Sequence, residues 1–220
     1  VGSRFLSAME NDVDSVIKVS PKVIWFGNIL ASGIVCAMSE DSEQNRRSWN
    51  AATAQHNLHK GDQAKFLREG GSTLFPEDVG ILGEVSGKSL IHLQCNSGQD
   101  TLSIAGQLGA KVTGVDLSDE AIDFAKRLSA ESEIPGEFFR SELYEWFDQT
   151  TPESFDVAFT SYGAIHWLPD LSRWAQGVAK VLKPGGHLAL IEFHPVIMMF
   201  AEDGSWKPVE DALGGGRLVV

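Results

Sequence analysis

From Lys88 onward, short apolar runs alternate with segments whose apolar residues recur every three or four positions. That alternation is the mark of strands joined by helices in a parallel sheet. Five strands are predicted: Ser89 to Leu93, Lys111 to Asp116, Phe138 to Arg140, Phe155 to Thr160 and His187 to Phe193. A helix is predicted from about Asp100, with Leu102, Ala105 and Leu108 on one face and Gly109 closing it. Ser118 can cap the next helix, where Asp119 and Glu120 lie in the dipole-favoured first turn and Ile122, Ala125 and Leu128 face the sheet. A third helix carries Leu171, Trp174, Val178 and Leu182 at helical spacing and is expected to end at Pro184-Gly185-Gly186. The predicted fold is α/β, a doubly wound, mainly parallel sheet occupying residues 88–195.

Residues 41–87 are more polar, with Trp49, Phe66 and Phe75 as isolated aromatics between Gln44 and Gly83, and read as one or two helices covering the sheet edge. Residues 1–40 form an N-terminal extension. Its run from Val23 to Met38 has no charged side chain but is shorter than the ~20 apolar residues that span a bilayer, and Asn28 interrupts it. It reads as a weak signal-anchor, as a buried helix, or as sequence upstream of a start at Met38. No stable membrane insertion is expected. Residues 196–220 read as a tail with a flexible GGG at 214–216.

At 220 residues the chain can bury one sizeable core. Against 18 Lys and Arg stand 30 Asp and Glu, a net charge of −12 that repels phosphate backbones and anionic membrane surfaces, so no nucleic acid partner is expected. Cys36 and Cys95 lie far apart with no CxxC spacing, which fits a cytoplasmic protein with free thiols.

In doubly wound sheets, ligands bind beyond the carboxyl ends of the strands where the strand order reverses. Three segments converge there. The turn from Gln94 to Gln99 contains Gly98, whose missing Cβ lets backbone amides approach a ligand. Asp116 follows 18 residues after Gly98, near the spacing at which a carboxylate accepts ribose hydroxyls. Glu142 with Leu143, just after the third strand, can accept an adenine amino group. The turn has no G-x-G-x-x-G, which disfavours a dinucleotide, since a pyrophosphate needs several amides at a helix N-terminus. Each feature also has a plainer reading, as an ordinary turn, a helix start and a solvated charge. One nucleoside explains all three.

The motifs HLQCNSGQDTLSIA at 92–105, GVDLS at 114–118, FDVAFTSYG at 155–163, WLPDL at 167–171, LKPGGHLALIEFHP at 182–195 and NRRSWN at 45–50 resemble the class I S-adenosylmethionine-dependent methyltransferases. They are closest to a branch whose first motif reads HLQCxxGQDTLSxA. The resemblance implies a Rossmann-like fold with S-adenosyl-L-methionine as cofactor and S-adenosyl-L-homocysteine as product. By resemblance, Gln94, Cys95, Asn96, Gly98 and Gln99 surround the methionine part, Asp116 binds the ribose, and Leu117 and Ser118 line the adenine. Glu142 and Leu143 read its edge, and Ser161 and Tyr162 border the sulfonium. Two departures stand out. His92, Gln94 and Asn96 occupy positions where the superfamily has an acid and two glycines. The family also carries two further strands, for which the 27 residues after Phe193 are too few, so the chain is expected to lack them and to expose a sheet edge that favours a homodimer.

Methyl transfer needs a base only when the acceptor must lose a proton. Tyr162, His166 and His194 are the candidate catalytic side chains, and His56 could reach in from the N-terminal cover. His166 beside Trp167 and His194 before Pro195 also fit purely structural roles. Gly163 and Trp167 suggest apolar walls suited to a small-molecule methyl acceptor. No metal site is expected. The alternatives are a nicotinamide-dependent oxidoreductase, which predicts a glycine-rich phosphate loop, and a non-catalytic cofactor-binding protein, which predicts binding without turnover.

Overall fold

The computed structural model describes residues 40–58 and 60–193. Five strands form one parallel sheet: β1 (Ser89–Leu93), β2 (Lys111–Asp116), β3 (Glu137–Arg140), β4 (Phe155–Ser161) and β5 (Leu182–Ile191), in the spatial order β3-β2-β1-β4-β5. Helices α4 (Gln99–Leu108), α5 (Asp119–Ser132), α6 (Leu143–Gln149) and α7 (Leu171–Val181) connect them. The cover before the sheet has three helices, α1 (Glu40–Asn57), α2 (Gln63–Arg68) and α3 (Pro76–Leu82), where one or two were expected. Gly61-Asp62 and Gly70-Gly71 break the segment, and Asp62 caps α2 through its side chain to the Lys65 N–H.

A parallel sheet is covered on both faces, so its central strand reads as an unbroken apolar run. In β1, Leu90 packs with Leu82, Val85, Ile104, Val157 and Phe159, while Ile91 and Leu93 point the other way onto Phe147, Trp174, Val178 and Val181. A third cluster joins α2 to α4 and α5 through Leu67, Leu102, Ile122 and Leu128. Burial of these side chains drives the fold at roughly 25 cal/mol per Å² of apolar surface removed from water.

Strand β3 starts one residue early at Glu137, β4 runs one residue longer to Ser161 and β5 ends at Ile191 rather than Phe193; the larger differences lie between α7 and β5. Helix α7 stops at Val181 rather than at Pro184, because the residue before a proline is pushed out of helical geometry and Leu182 is already extended. Strand β5 therefore starts at Leu182 rather than His187, and Lys183 to Gly186 form a bulge: Leu182 pairs with Phe155, and the next partners are His187 and Val157. Helix α6 was not foreseen. It is short, Glu142 caps it by accepting the Glu145 N–H, and its Tyr144, Trp146 and Phe147 fill the face beneath β4 and β1. His194, Cys36 and both terminal segments lie outside the described residues, as does the expected absence of further strands. Among the described residues, no helix is long and apolar enough to cross a membrane.

At the amino ends of the strands, Asp156 accepts from the Ser89 N–H at 2.8 Å, Ser89 Oγ at 2.7 Å and Lys183 Nζ at 2.9 Å, tying β1, β4 and β5 together. Lys183 and Ser89 hold the Asp156 carboxyl down to about 2, below its ordinary 3.8. A depressed carboxylate contributes stability above its unfolded pKa that is lost as pH falls through the folded one. The melting temperature of the wild type should therefore drop more steeply than that of Asp156→Asn between pH 4 and 2. Parallel curves would remove Asp156 from the acid limb.

Candidate functional site

The strand order reverses between β1 and β4, and a cavity of about 220 Å³ opens there beyond the carboxyl ends. Gln94, Cys95 and Asn96 follow β1 into its wall, Asp116 and Leu117 come from β2, Glu142 and Leu143 from β3, and Ser161, Tyr162 and Gly163 from β4. Ser42, Asn45 and Trp49 reach it from α1.

Asp116 closes β2, and both of its carboxylate oxygens are engaged: the Asn96 N–H donates to Oδ2 at 2.8 Å and the Ser118 N–H to Oδ1 at 2.9 Å. Burial pushes this carboxyl above its ordinary range, and those amides pull against the shift. The Leu117 N–H also faces this carboxylate, which with about four acceptor positions keeps some capacity for a ligand hydroxyl. Glu142 also lines the cavity, with one oxygen accepting the Glu145 N–H at 3.0 Å and its carboxyl raised by burial.

Gln94 (φ 55°) and Asn96 (φ 49°) are left-handed, a conformation that costs an ordinary residue roughly 1–2 kcal/mol and glycine very little. Asn96 recovers part of this by accepting the Ser97 N–H on its own Oδ1 at 2.7 Å. Gln94 donates through Nε2 to the Ala164 carbonyl at 2.8 Å, joining the turn after β1 to the turn after β4. Its Oε1 is buried without a partner. An orphaned buried acceptor costs about 1–3 kcal/mol, so this atom marks a place where a ligand N–H would be accepted.

Three expected cofactor residues lie behind the cavity wall. Gly98 (φ 75°) is the left-handed N-cap of α4, and a Cβ there would come within 2.7 Å of Ala125 Cβ and 2.9 Å of the Phe138 ring. Its freedom serves helix packing rather than ligand approach. Gln99 donates to Asn57 Oδ1 and to Gln63 Oε1, both at 2.8 Å, and so fastens α4 to the cover. Ser118 caps α5 by accepting the Ala121 N–H and donates to Asn50 Oδ1 at 2.7 Å.

The NRRSWN segment seats α1 over the cavity. Arg46 pairs with Asp119, which also accepts from Asn50 Nδ2 at 3.1 Å and Arg140 Nε at 2.9 Å. Against the desolvation penalty, Asn50, Arg46 and Arg140 hold the Asp119 carboxyl below its ordinary range. Trp49 then meets Trp167 edge to face at 5.5 Å across the cavity mouth.

Of the candidate bases, Tyr162 lines the cavity, and its buried hydroxyl faces the Asp78 carboxyl. Burial and the charges of Asp78 and Glu77 push its phenol up, so it stays protonated and can donate but not abstract. His166 is exposed on the 3₁₀ turn Ile165–Trp167, its ring 5.4 Å from Trp167, and does not line the cavity. His56 is exposed on α1, its ring 6.1 Å from Trp49. His92, absent from the expected site residues, does line it. Its Nδ1 is 2.8 Å from Thr101 Oγ1, and burial lowers its pKa to about 3, keeping the ring neutral. The signal for it was its place in the first motif, where an acid is usual. Asp100, also missed, lines the cavity, accepts Thr73 Oγ1 at 2.5 Å and has its carboxyl raised by burial.

Residues 91–186 match a family described as a methyltransferase domain. The 27-O-demethylrifamycin SV methyltransferase of Amycolatopsis mediterranei is 28% identical over 144 residues, covering 62% of this chain and 51% of that protein. The ubiquinone biosynthesis O-methyltransferase of Saccharophagus degradans is 31% identical over 124 residues, covering 56% and 51%. The chain spans about half the length of these curated relatives. Geranyl diphosphate C-methyltransferase from Streptomyces coelicolor A3(2) shares the fold, with a TM-score of 0.53 at 16% identity over 71% of this chain and 66% of that one.

Asn50→Ala removes the acceptor of Ser118 Oγ and a donor to Asp119. At roughly 0.5–1 kcal/mol for each of these two bonds, amides of α1 should exchange with deuterium about five- to thirtyfold faster while those of β1 and β4 keep their rates. An unchanged α1 would mean that the Arg46 ion pair alone seats the cover.

Proposed function

Since residues 91–186 belong to the class I S-adenosylmethionine-dependent methyltransferases, we propose that this chain transfers the cofactor's methyl group to a small-molecule acceptor held at the Trp49–Trp167 end of the cavity. The observation that carries this is Asp116, a half-buried carboxylate at the end of β2 that lines the cavity with acceptor capacity left for ribose hydroxyls. Gln94 Oε1 offers the unpaired acceptor that the methionine ammonium would fill, and Glu142 and Leu143 would border the adenine. The relaxed demand on the loop fits as well. A nicotinamide dinucleotide needs several phosphate-binding amides, whereas Gln94 and Asn96 place side chains where such a loop has glycines.

When bound, S-adenosylmethionine supplies a methyl carbon already activated by its sulfonium. The protein's own residues then have two tasks, orientation and exclusion of water. Asp116 and Gln94 orient from the β1–β2 side. Tyr162 and Gly163 form the wall toward the reacting end. Trp49, Trp167 and Leu168 give that end an apolar lining suited to an aromatic or aliphatic body. With Tyr162 held protonated and His92 held neutral at about 3, neither of these side chains serves as a strong base. An acceptor that loses its proton readily, such as a phenol, suits the cavity, and the O-methyltransferase names of two relatives make hydroxyl the first acceptor to screen. The net charge of −12 speaks against nucleic acid as acceptor.

Calorimetric titration with S-adenosylmethionine and, in parallel, NADH tests the reading. Micromolar binding of S-adenosylmethionine alone is expected, weakened roughly 10- to 100-fold in Asp116→Ala, the equivalent of a lost charge-assisted hydrogen bond. Binding of NADH alone, or of neither, would overturn it.

A further inference from the structure

The turn that follows β4 is held in an unusual way. Tyr162 (φ 40°) and Gly163 (φ 85°) are consecutive left-handed residues, a conformation that a tyrosine adopts only when its surroundings impose it. From this bend the amides of Gly163, Ala164 and Ile165 converge on one carboxylate, that of Glu192, just past the end of β5. The Gly163 N–H donates to Oε2 at 2.6 Å, and the Ala164 and Ile165 N–H groups donate to Oε1 at 2.5 and 2.9 Å. Glu192 also accepts the Phe193 N–H at 3.0 Å, and the Tyr162 N–H donates to the Ile191 carbonyl at 2.8 Å. Successive amides bent into a concave arc form an anion-binding nest, and here the anion is supplied by the protein itself. From the opposite side, Gln94 Nε2 grips the Ala164 carbonyl at 2.8 Å.

Glu192 does not line the cavity; Tyr162, Gly163 and Ala164 do. We propose that Glu192 is a positioning residue, whose carboxylate locks the Tyr162–Ile165 turn in its left-handed form and thereby sets where the Tyr162 ring and the Gly163 backbone face the bound cofactor and acceptor. The turn links two strand ends, β4 through the chain and β5 through Glu192, so its shape is inherited from the sheet rather than from its own sequence. Without the carboxylate, three adjacent N–H groups would point at one another's positive ends, and the turn would relax toward right-handed geometry with Tyr162 displaced. The ligand half of this inference rests on the methyltransferase reading; the backbone half does not.

The test compares wild type with Glu192→Gln, which keeps the size but places an amide donor against donors, and with Glu192→Asp, which keeps the charge one methylene further back. Site-resolved hydrogen exchange, S-adenosylhomocysteine calorimetry and thermal melting are read on all three. In Glu192→Gln the amides of 163–165 should exchange at least tenfold faster while those of β1 and β4 are unchanged, and affinity for S-adenosylhomocysteine should fall about tenfold. Glu192→Asp should lie between, which a loss of bulk packing would not produce; it also stands in should the glutamine variant fail to fold. Unchanged turn amides, exchange that rises equally throughout the sheet, or a freed turn with unaltered affinity would each overturn the role of Glu192. Wild-type protein that binds no S-adenosylhomocysteine would sink the methyltransferase reading instead, and the exchange comparison would still decide the backbone claim.

Discussion

The Asp116 carboxylate is the joint on which the site turns. It ends β2, receives one amide from the turn after β1 and another from the start of α5, and so sets the distance between the two segments that border the strand-order reversal. Charge-assisted bonds to backbone N–H groups are about twice as strong as neutral ones, and here they offset part of the carboxylate's desolvation. Ser118 at the same junction caps α5 and donates to Asn50 of the cover, so the position of α1 is referred back to Asp116 through a single intervening residue. The cavity is thus built outward from one half-buried carboxylate.

How far the fold could be read in advance depended on what held each element. Strands β1 and β2 were legible to the residue, because each is a short run rich in Leu, Ile and Val bounded by polar and glycine turn residues. The helices α4 and α5 were legible through their apolar faces, with Gly109 and Ser118 as their end signals. The cover was not. Helix α1 is seated by Arg46, Asn50 and Asn57, whose partners Asp119, Ser118 and Ser97 lie 40 to 73 residues away. Polar contacts of that range leave no periodic trace in a sequence. Helix α6 is too short to show a period, and the bulge from Lys183 to Gly186 looks like a helix end until the register is seen.

The site was legible in its order of segments and less so in its individual residues. Gln94, Cys95, Asn96, Asp116, Leu117, Glu142, Leu143, Ser161 and Tyr162 meet at one cavity as their positions after successive strands require. Gly98, Gln99 and Ser118 stand one layer behind, because a residue inside a binding motif is as often there to hold the loop as to touch the ligand. His92 stood in the first motif where an acid is usual, and Asp100 in the first turn of α4, but nothing in the spacing separated wall residues from those behind it. Glu192 was beyond sequence reasoning altogether: its partners are backbone amides, which every residue carries.

The most direct test of this account is a crystal structure of the protein with S-adenosylhomocysteine. The ribose hydroxyls should lie within hydrogen-bond distance of Asp116, with the amino-acid end near Gln94 and the adenine beside Leu143. A ligand seated away from Asp116, or a cavity that stays empty of nucleoside at millimolar concentration, would contradict it.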